Sequence, residues 1–270
     1  GELLQAKAYA QIAIAMRTHA ARPELQAAGC AVLARAPISA DAPVATVDAV
    51  KDSQLVPAVV AALLRHVASP LVQLHGARAL LAVANGGATF VSALLALEGV
   101  ALLGTLLQQA SPARDAACAA LDVIGRAGGK ARNALVEQGA VGALLAAVAS
   151  PKAPFAWRRA CARVVLPLAE LSDVSILKSA LNAGMLPAFV SLLTDAQTDA
   201  RLSLLLAHAI GALSWRSSSA QLRRSLVPTL VNARTSRALI AAAAAHPRRP
   251  GLTAATIRLL NETSEPPPKE

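Results

Sequence analysis

One apolar phrase is written three times in this chain, and the repetition constrains the fold more than any single motif does. Glu137-Gln-Gly-Ala-Val-Gly-Ala-Leu-Leu-Ala-Ala-Val148 returns as Glu98-Gly-Val-Ala-Leu-Leu-Gly-Thr-Leu-Leu107 and as Ala183-Gly-Met-Leu-Pro-Ala-Phe-Val-Ser-Leu-Leu193. Gly99, Gly139 and Gly184 align, Gln54 joins them upstream and Ser225 downstream, at spacings of 45, 40, 45 and 41 residues. Independent core elements need no shared opening and no even spacing; a stack of similar units needs both.

A second register follows each phrase, anchored on Gly29, Gly76, Ala117, Ala160, Leu206 and Thr253. Four residues later come Leu33, Leu80, Leu121, Val164, Ile210 and Ile257, and seven later Ala36, Val83, Ile124, Pro167, Leu213 and Leu260. The 0, 4, 7 spacing is one face of a helix. Pro167 is the exception and should end or kink its helix. Ser69-Pro70, Ser111-Pro112 and Ser150-Pro151, with Thr194-Asp195 in a later copy, lie between the registers. Pro suits the first turn of a helix, and a neighbouring Ser or Asp can cap it. Asn85-Gly86-Gly87, Gly125 with Gly128-Gly129, and Ser217-Ser218-Ser219 read as helix stops between units. Each unit is therefore expected to be a helix, a tight turn and a longer helix.

Helical units of ~40–47 residues are those of the armadillo/HEAT class. The phrase Gly-(Ala/Val/Met)-x-x-x-Leu/Val-x-x-Leu, a Ser-Pro-type turn and a small-x-x-Ala-Leu helix together resemble the armadillo version over about residues 20–262. The resemblance implies an all-α, right-handed solenoid of five to six units, forming a single domain over 1–262. The units are expected at 2–36, 53–85, 91–127, 131–170, 175–216 and 220–262, followed by an extended tail, 263–270, containing Pro266-Pro267-Pro268. Two departures stand out: the long segment from Ala36 to Asp52, and the insertion Lys152-Ala-Pro-Phe-Ala-Trp157. One unit cannot bury its own apolar face, so neighbours must stack. The recurring glycine is expected to serve a close approach that leaves no room for a Cβ.

Composition agrees. The chain is 55% hydrophobic with only 2% aromatic residues, so Ala, Leu and Val supply the core; these are good helix formers that each bury little area. No uninterrupted apolar run approaches the ~20 residues of a membrane span, and Glu2 to Thr18 reads as a helix without the order of a secretory signal.

Enzyme chemistry has no foothold in the motifs. The five histidines, His19, His66, His75, His208 and His246, are scattered, and no His-Glu-x-x-His, Gly-x-Ser-x-Gly or phosphate-binding Gly-Lys loop occurs. Neither a cofactor nor a metal is expected. Cys30, Cys118 and Cys161 each fall one residue after an anchor, where other copies carry Ala77, Ala207 and Ala254. That position asks for a small buried group, and an odd number of cysteines without metal spacing points to an intracellular, reducing compartment.

Charge is the informative remainder. The net charge is +10, and residues 151–270 hold 15 Lys and Arg against 7 Asp and Glu. Arg158-Arg159 with Arg163, Arg216 with Arg223-Arg224, Arg234 with Arg237, and Arg248-Arg249 with Arg258 form clusters. They read either as a solvated helix face in an arginine-preferring sequence or as an electropositive surface for acidic protein segments, with nucleic-acid phosphate, as on the rim of a ribonucleoprotein, as the second choice of partner. Trp157 and Trp215 are packing residues on this view.

Armadillo proteins that carry nuclear import signals, similar to importin-alpha, line the concave helix with Trp and Asn. At the aligned positions this chain has Ala31, Arg78, Ala119, Ala162, His208 and Ala255 for Trp, and Arg35, Ala82, Val123, Leu166, Ala212 and Leu259 for Asn. The ladder is absent, and a basic groove repels a basic signal. What the resemblance implies is a non-enzymatic scaffold, a subunit of a larger assembly, that binds extended or helical segments along its concave face, and the charge makes an acidic partner the expected one. The expected contacts are Arg78, Arg158, Arg159, Arg163, His208, Arg216, Arg223 and Arg224. Large eukaryotic assemblies, the ciliary axoneme among them, use armadillo subunits of this sort, which makes a cytoplasmic or ciliary location the expectation.

Overall fold

A computed structural model describes residues 2–39, 44–108, 112–170, 174–195, 200–215, 233–248 and 250–264. The chain divides into two compact units, Gly1–Ala143 and Leu144–Glu270. Among the described residues all regular structure is helical.

The first unit contains α1 (Glu2–Thr18), α2 (Pro23–Ala34), α3 (Val44–Asp52), α4 (Leu55–Arg65), α5 (Pro70–Asn85), α6 (Ala88–Ala96), α7 (Gly99–Gln108), α8 (Ala113–Arg126) and α9 (Gly129–Glu137). The division falls within α10 (Ala140–Ala149). The second unit continues with α11 (Phe155–Val165), a 3-10 segment (Leu166–Glu170), α12 (Val174–Asn182), α13 (Met185–Asp195), α14 (Ala200–Trp215), α15 (Ala233–Ala245) and α16 (Pro250–Ser264).

The repeat has three helices where the sequence reading gave two. A short helix, α3, α6, α9 or α12, precedes the apolar phrase and fills what looked like linker, including the end of the Ala36–Asp52 segment. The phrase forms the second helix (α4, α7, α10, α13), and the longer third helix follows. Within the first unit α5 packs between α2 and α8, and α4 and α7 pack on the third helices that follow them. In the second, α14 packs against α16 and the Leu166–Glu170 segment, while α13 packs against α14 and α15.

The recurring glycine acts through its backbone. The residue before the second helix is left-handed in four copies: Gln54 (φ 58°), Glu98 (φ 54°), Gly139 (φ 78°) and Gly184 (φ 94°). A Cβ at Gly139 or Gly184 would meet nothing within 4 Å, so the expected close approach is not the reason. A sharp turn from first helix to second needs one residue at positive φ, which glycine adopts without penalty. The copies therefore align Glu98, and not Gly99, with Gly139. Close approach operates at Gly99, where a Cβ would lie 2.9 Å from Leu94 O, and in the third helix, where one on Gly76 would lie 2.5 Å from Leu63 Cδ2.

Proline behaves as expected at two points. Pro70 occupies the first turn of α5, and α11 gives way to the 3-10 segment that contains Pro167. Ser69 sits at the N-cap of α5 but makes no side-chain cap bond, and Pro70 at the first helical position has no N–H to leave unsatisfied. Helix α16 runs to Ser264, past the boundary expected at 262; 265–270 lie outside the described residues.

The aliphatic ladder is buried from Leu33 through Leu80, Leu121, Val164 and Ile210, but Ile257 is 53% exposed. In α16 the buried face is Leu252, Ala255 and Thr256, one residue earlier than the sequence register. No single helix among the described residues is long and apolar enough to cross a membrane.

Candidate protein-docking face

The third helices share a burial code. Two buried residues, one more open residue and two buried residues recur as Gly76-Ala77-Arg78-Ala79-Leu80, Cys161-Ala162-Arg163-Val164-Val165 and Leu206-Ala207-His208-Ala209-Ile210. Ala117-Cys118-Ala119-Ala120-Leu121 follows it with a half-buried centre. The buried pairs pack inward, and the middle residue stands on the outer face of the helix.

A side-chain clasp sets this register. Gln26 Nε2 donates to Met16 O (2.9 Å) and His19 O (3.0 Å), and Gln73 Nε2 donates to Leu63 O and His66 O, both at 2.9 Å. Each glutamine thus ties two carbonyls at the end of the preceding helix, and the second of them, His19 O or His66 O, also accepts from the backbone N–H of Arg22 or Ser69. Arg158 does the same for Val148 O through Nε (2.7 Å), again ten residues back. Three residues beyond each clasp lie Gly29, Gly76 and Cys161, so Cys161 is the true anchor of the fourth copy, one residue later than Ala160.

This shift changes the site. Ala162 and Ala255, aligned from sequence with the import-receptor ladder, are buried. Their places on the open face belong to Arg163 and Ala254, both exposed. In the first unit the face carries Ala31, Arg78 and Ala119; in the second, Arg163, His208 and Ala254. Arg159 is exposed one turn before Arg163 on α11, and Arg201 is exposed near the start of α14.

Arg158 is the correction among the expected contacts. It is 2% exposed, and its guanidinium reaches Ser191 Oγ (3.1 Å) and the Asp195 carboxylate as well as Val148 O. It is an internal tie between α10, α11 and α13 and is not presented to a partner. Arg216, Arg223 and Arg224 lie outside the described residues. Trp157 is buried, as a packing residue should be.

Charge differs from one third helix to the next: α2 carries Glu24 and α16 carries Glu262, while α5 has no Asp or Glu. On α8, Asp115 and Asp122 sit among the cations, and Asp122 pairs with Arg126 one turn on. Helices α11 and α14 contain no Asp or Glu at all. The second unit therefore presents Arg159, Arg163, Arg201 and His208 on third helices free of acidic residues.

The cysteines occupy closed positions. Cys30, Cys118 and Cys161 are buried and joined in no disulfide among the described residues, and burial pushes the Cys30 thiol up to about 12. Among the described residues no group of three or more His, Cys, Asp and Glu side chains is placed to hold a metal.

No family model and no curated protein matches the sequence. Solved structures do. A computationally designed armadillo repeat protein for modular peptide recognition superposes with TM-score 0.72 at 18% identity, covering 95% of this chain and 99% of that one. An engineered protein superposes at 0.69 with 22% identity, covering 94% of this chain and 96% of that one. A designed armadillo repeat protein in complex with the peptide (KR)4 gives 0.61 at 18% identity, over 87% of this chain and 98% of that one. The chain thus has an all-α, armadillo-like repeat fold.

Proposed function

We propose that this chain is a non-enzymatic docking scaffold whose third-helix face in residues 144–270 holds an acidic segment of a partner protein, as one subunit of a larger assembly. The observation that carries the reading is the exposed set Arg159, Arg163, Arg201 and His208 on helices without a single Asp or Glu. A designed armadillo neighbour holds a (KR)4 peptide; a face with this charge would repel such a peptide and attract its acidic counterpart.

The mechanism is complementary charge on a preformed surface. Each helix keeps its buried residues fixed, so the open cations are positioned by packing that is complete before a partner arrives. Arginine suits this role because its fork donates two parallel hydrogen bonds to a carboxylate.

Fluorescence anisotropy with a labelled oligoglutamate peptide tests the reading. Binding should weaken as salt rises from roughly 50 to 300 mM, and Arg159→Glu with Arg163→Glu should weaken it about tenfold or more, a loss of about 1.4 kcal/mol. Affinity insensitive to both would overturn the proposal. Retention of single-stranded RNA in preference to the peptide would give the face to nucleic acid instead.

A further inference from the structure

Arg158 has a counterpart in the first repeat. Gln26 stands three residues before Gly29 as Arg158 stands three before Cys161, and Met16 corresponds to Val148. Counting back from the next anchor, Ala61 and Arg65 precede Gly76 by the same 15 and 11 residues by which Ser191 and Asp195 precede Leu206.

In the second unit the Arg158 guanidinium fills the space between these elements and meets Ser191 and Asp195. In the first unit the shorter Gln26 turns back onto Met16 O and His19 O. What remains is an open cavity of about 490 Å³ between α1 and α4, floored by Met16, Ala58, Ala61 and Ala62 and flanked by Arg17 and Arg65. The charge is inverted as well: Arg65 stands where the second unit has Asp195. Among the described residues neither Arg17 nor Arg65 forms an ion pair. Leu64, at the cavity, and Ile14, one turn before Arg17, are 61% and 46% exposed.

The geometry points to a second docking site here, for an acidic, leucine-bearing helical segment of a partner protein. Its carboxylate meets Arg17 and Arg65, and its aliphatic side chains lie on the alanine floor and on Leu64. The protein's own Arg158–Asp195 pair is the internal precedent for a carboxylate against a guanidinium at this place in the repeat. A polypeptide is the fitting occupant because the apolar surface continues past the cavity to Ile14, beyond what a small carboxylate covers. The site is separate from the third-helix face and stands or falls without it.

The test uses the chain carrying Arg159→Glu, Arg163→Glu, Arg201→Glu and His208→Glu, which reverses the charge of the third-helix face. The probe is a labelled helical peptide of repeating Leu and Glu, with a Leu and Gln version as control and octanoate as free carboxylate. The Glu peptide should bind about tenfold more tightly than the Gln peptide, and Arg17→Ala with Arg65→Ala should remove that difference. Gln26→Arg with Arg65→Asp rebuilds the Arg158–Asp195 arrangement inside the cavity and should abolish binding. Hydrogen exchange on the chain with native Arg17, Gln26 and Arg65 gives an independent reading: the peptide should protect α1 and α4. Equal binding of both peptides, protection elsewhere than α1 and α4, or displacement of the peptide by octanoate at equal concentration would overturn the site.

Discussion

Arg158 and Asp195, on α11 and α13, form an ion pair with one member inside the protein and the other at its surface: their side chains are 3% and 47% exposed. The pair is therefore unequal in what its loss would cost. Without Arg158, Val148 O and Ser191 Oγ lose a partner and a space opens in the second unit. Without Asp195, the guanidinium keeps both other contacts. Arg158→Met should lower the stability of the chain by about 2–3 kcal/mol, and Asp195→Asn by less than about 1 kcal/mol, since solvent screens the exposed carboxylate. Urea denaturation of the two variants checks the asymmetry, which equal losses would contradict.

The glutamine clasps should matter in proportion to the carbonyls they satisfy. Gln26→Ala and Gln73→Ala each remove the side-chain donor of Met16 O or Leu63 O, while His19 O and His66 O keep a backbone donor, and should cost about 1 kcal/mol apiece. Gln73→Leu keeps the bulk and should cost about as much as the alanine, which separates hydrogen bonding from packing. Thermal melts of the three variants provide the comparison.

Backbone handedness before the second helix gives a prediction of opposite sign at different copies. Gly139→Ala and Gly184→Ala place a Cβ at positive φ and should destabilise by about 1 kcal/mol each. Glu98→Gly relieves the same strain where a side chain already bears it and should be neutral or stabilising by up to about 1 kcal/mol. Melting temperatures that fall for all three would refute the shared turn.

Cys30 links stability to alkaline pH. Its folded thiol is raised from an ordinary value of 9.0 to about 12. The unfolded chain loses this proton first, so the contribution to stability is full below about 9 and is lost as pH rises toward 12. A denaturation series from pH 8 to about 11 should show that decline, and Cys30→Ala should flatten it. Thiol reagent added at pH 8 should modify the three buried cysteines only as fast as the chain opens.

Sequence periodicity carried most of the fold. The helix expected over Glu2–Thr18 has those bounds, the ladder from Leu33 to Ile210 is buried, and the cysteines sit where small residues were required. What escaped were features too short or too local for a period. Helices such as α6 and α9 run 9 residues and follow glycine pairs, so composition showed their stops and hid their bodies. Arg158 was read as surface because arginine usually is, yet Gln26 and Gln73 were legible as polar residues at one fixed offset on an otherwise apolar face. Following that offset from Met16–Gln26 to Val148–Arg158 places Arg158 inside and leaves Arg163 outside, where the expected contacts already had it. Thr256 shows the limit of the method in the last copy: a polar residue holds the buried position, and Ile257 beside it faces out.

An exposed residue at the centre of a third-helix code, such as Arg78 or His208, stands outside the packing of its buried neighbours. Such positions can consequently take other side chains while the layers beneath keep their shape. Evolution or an engineer could respell the surface one character per repeat, leaving the grammar of the stack intact.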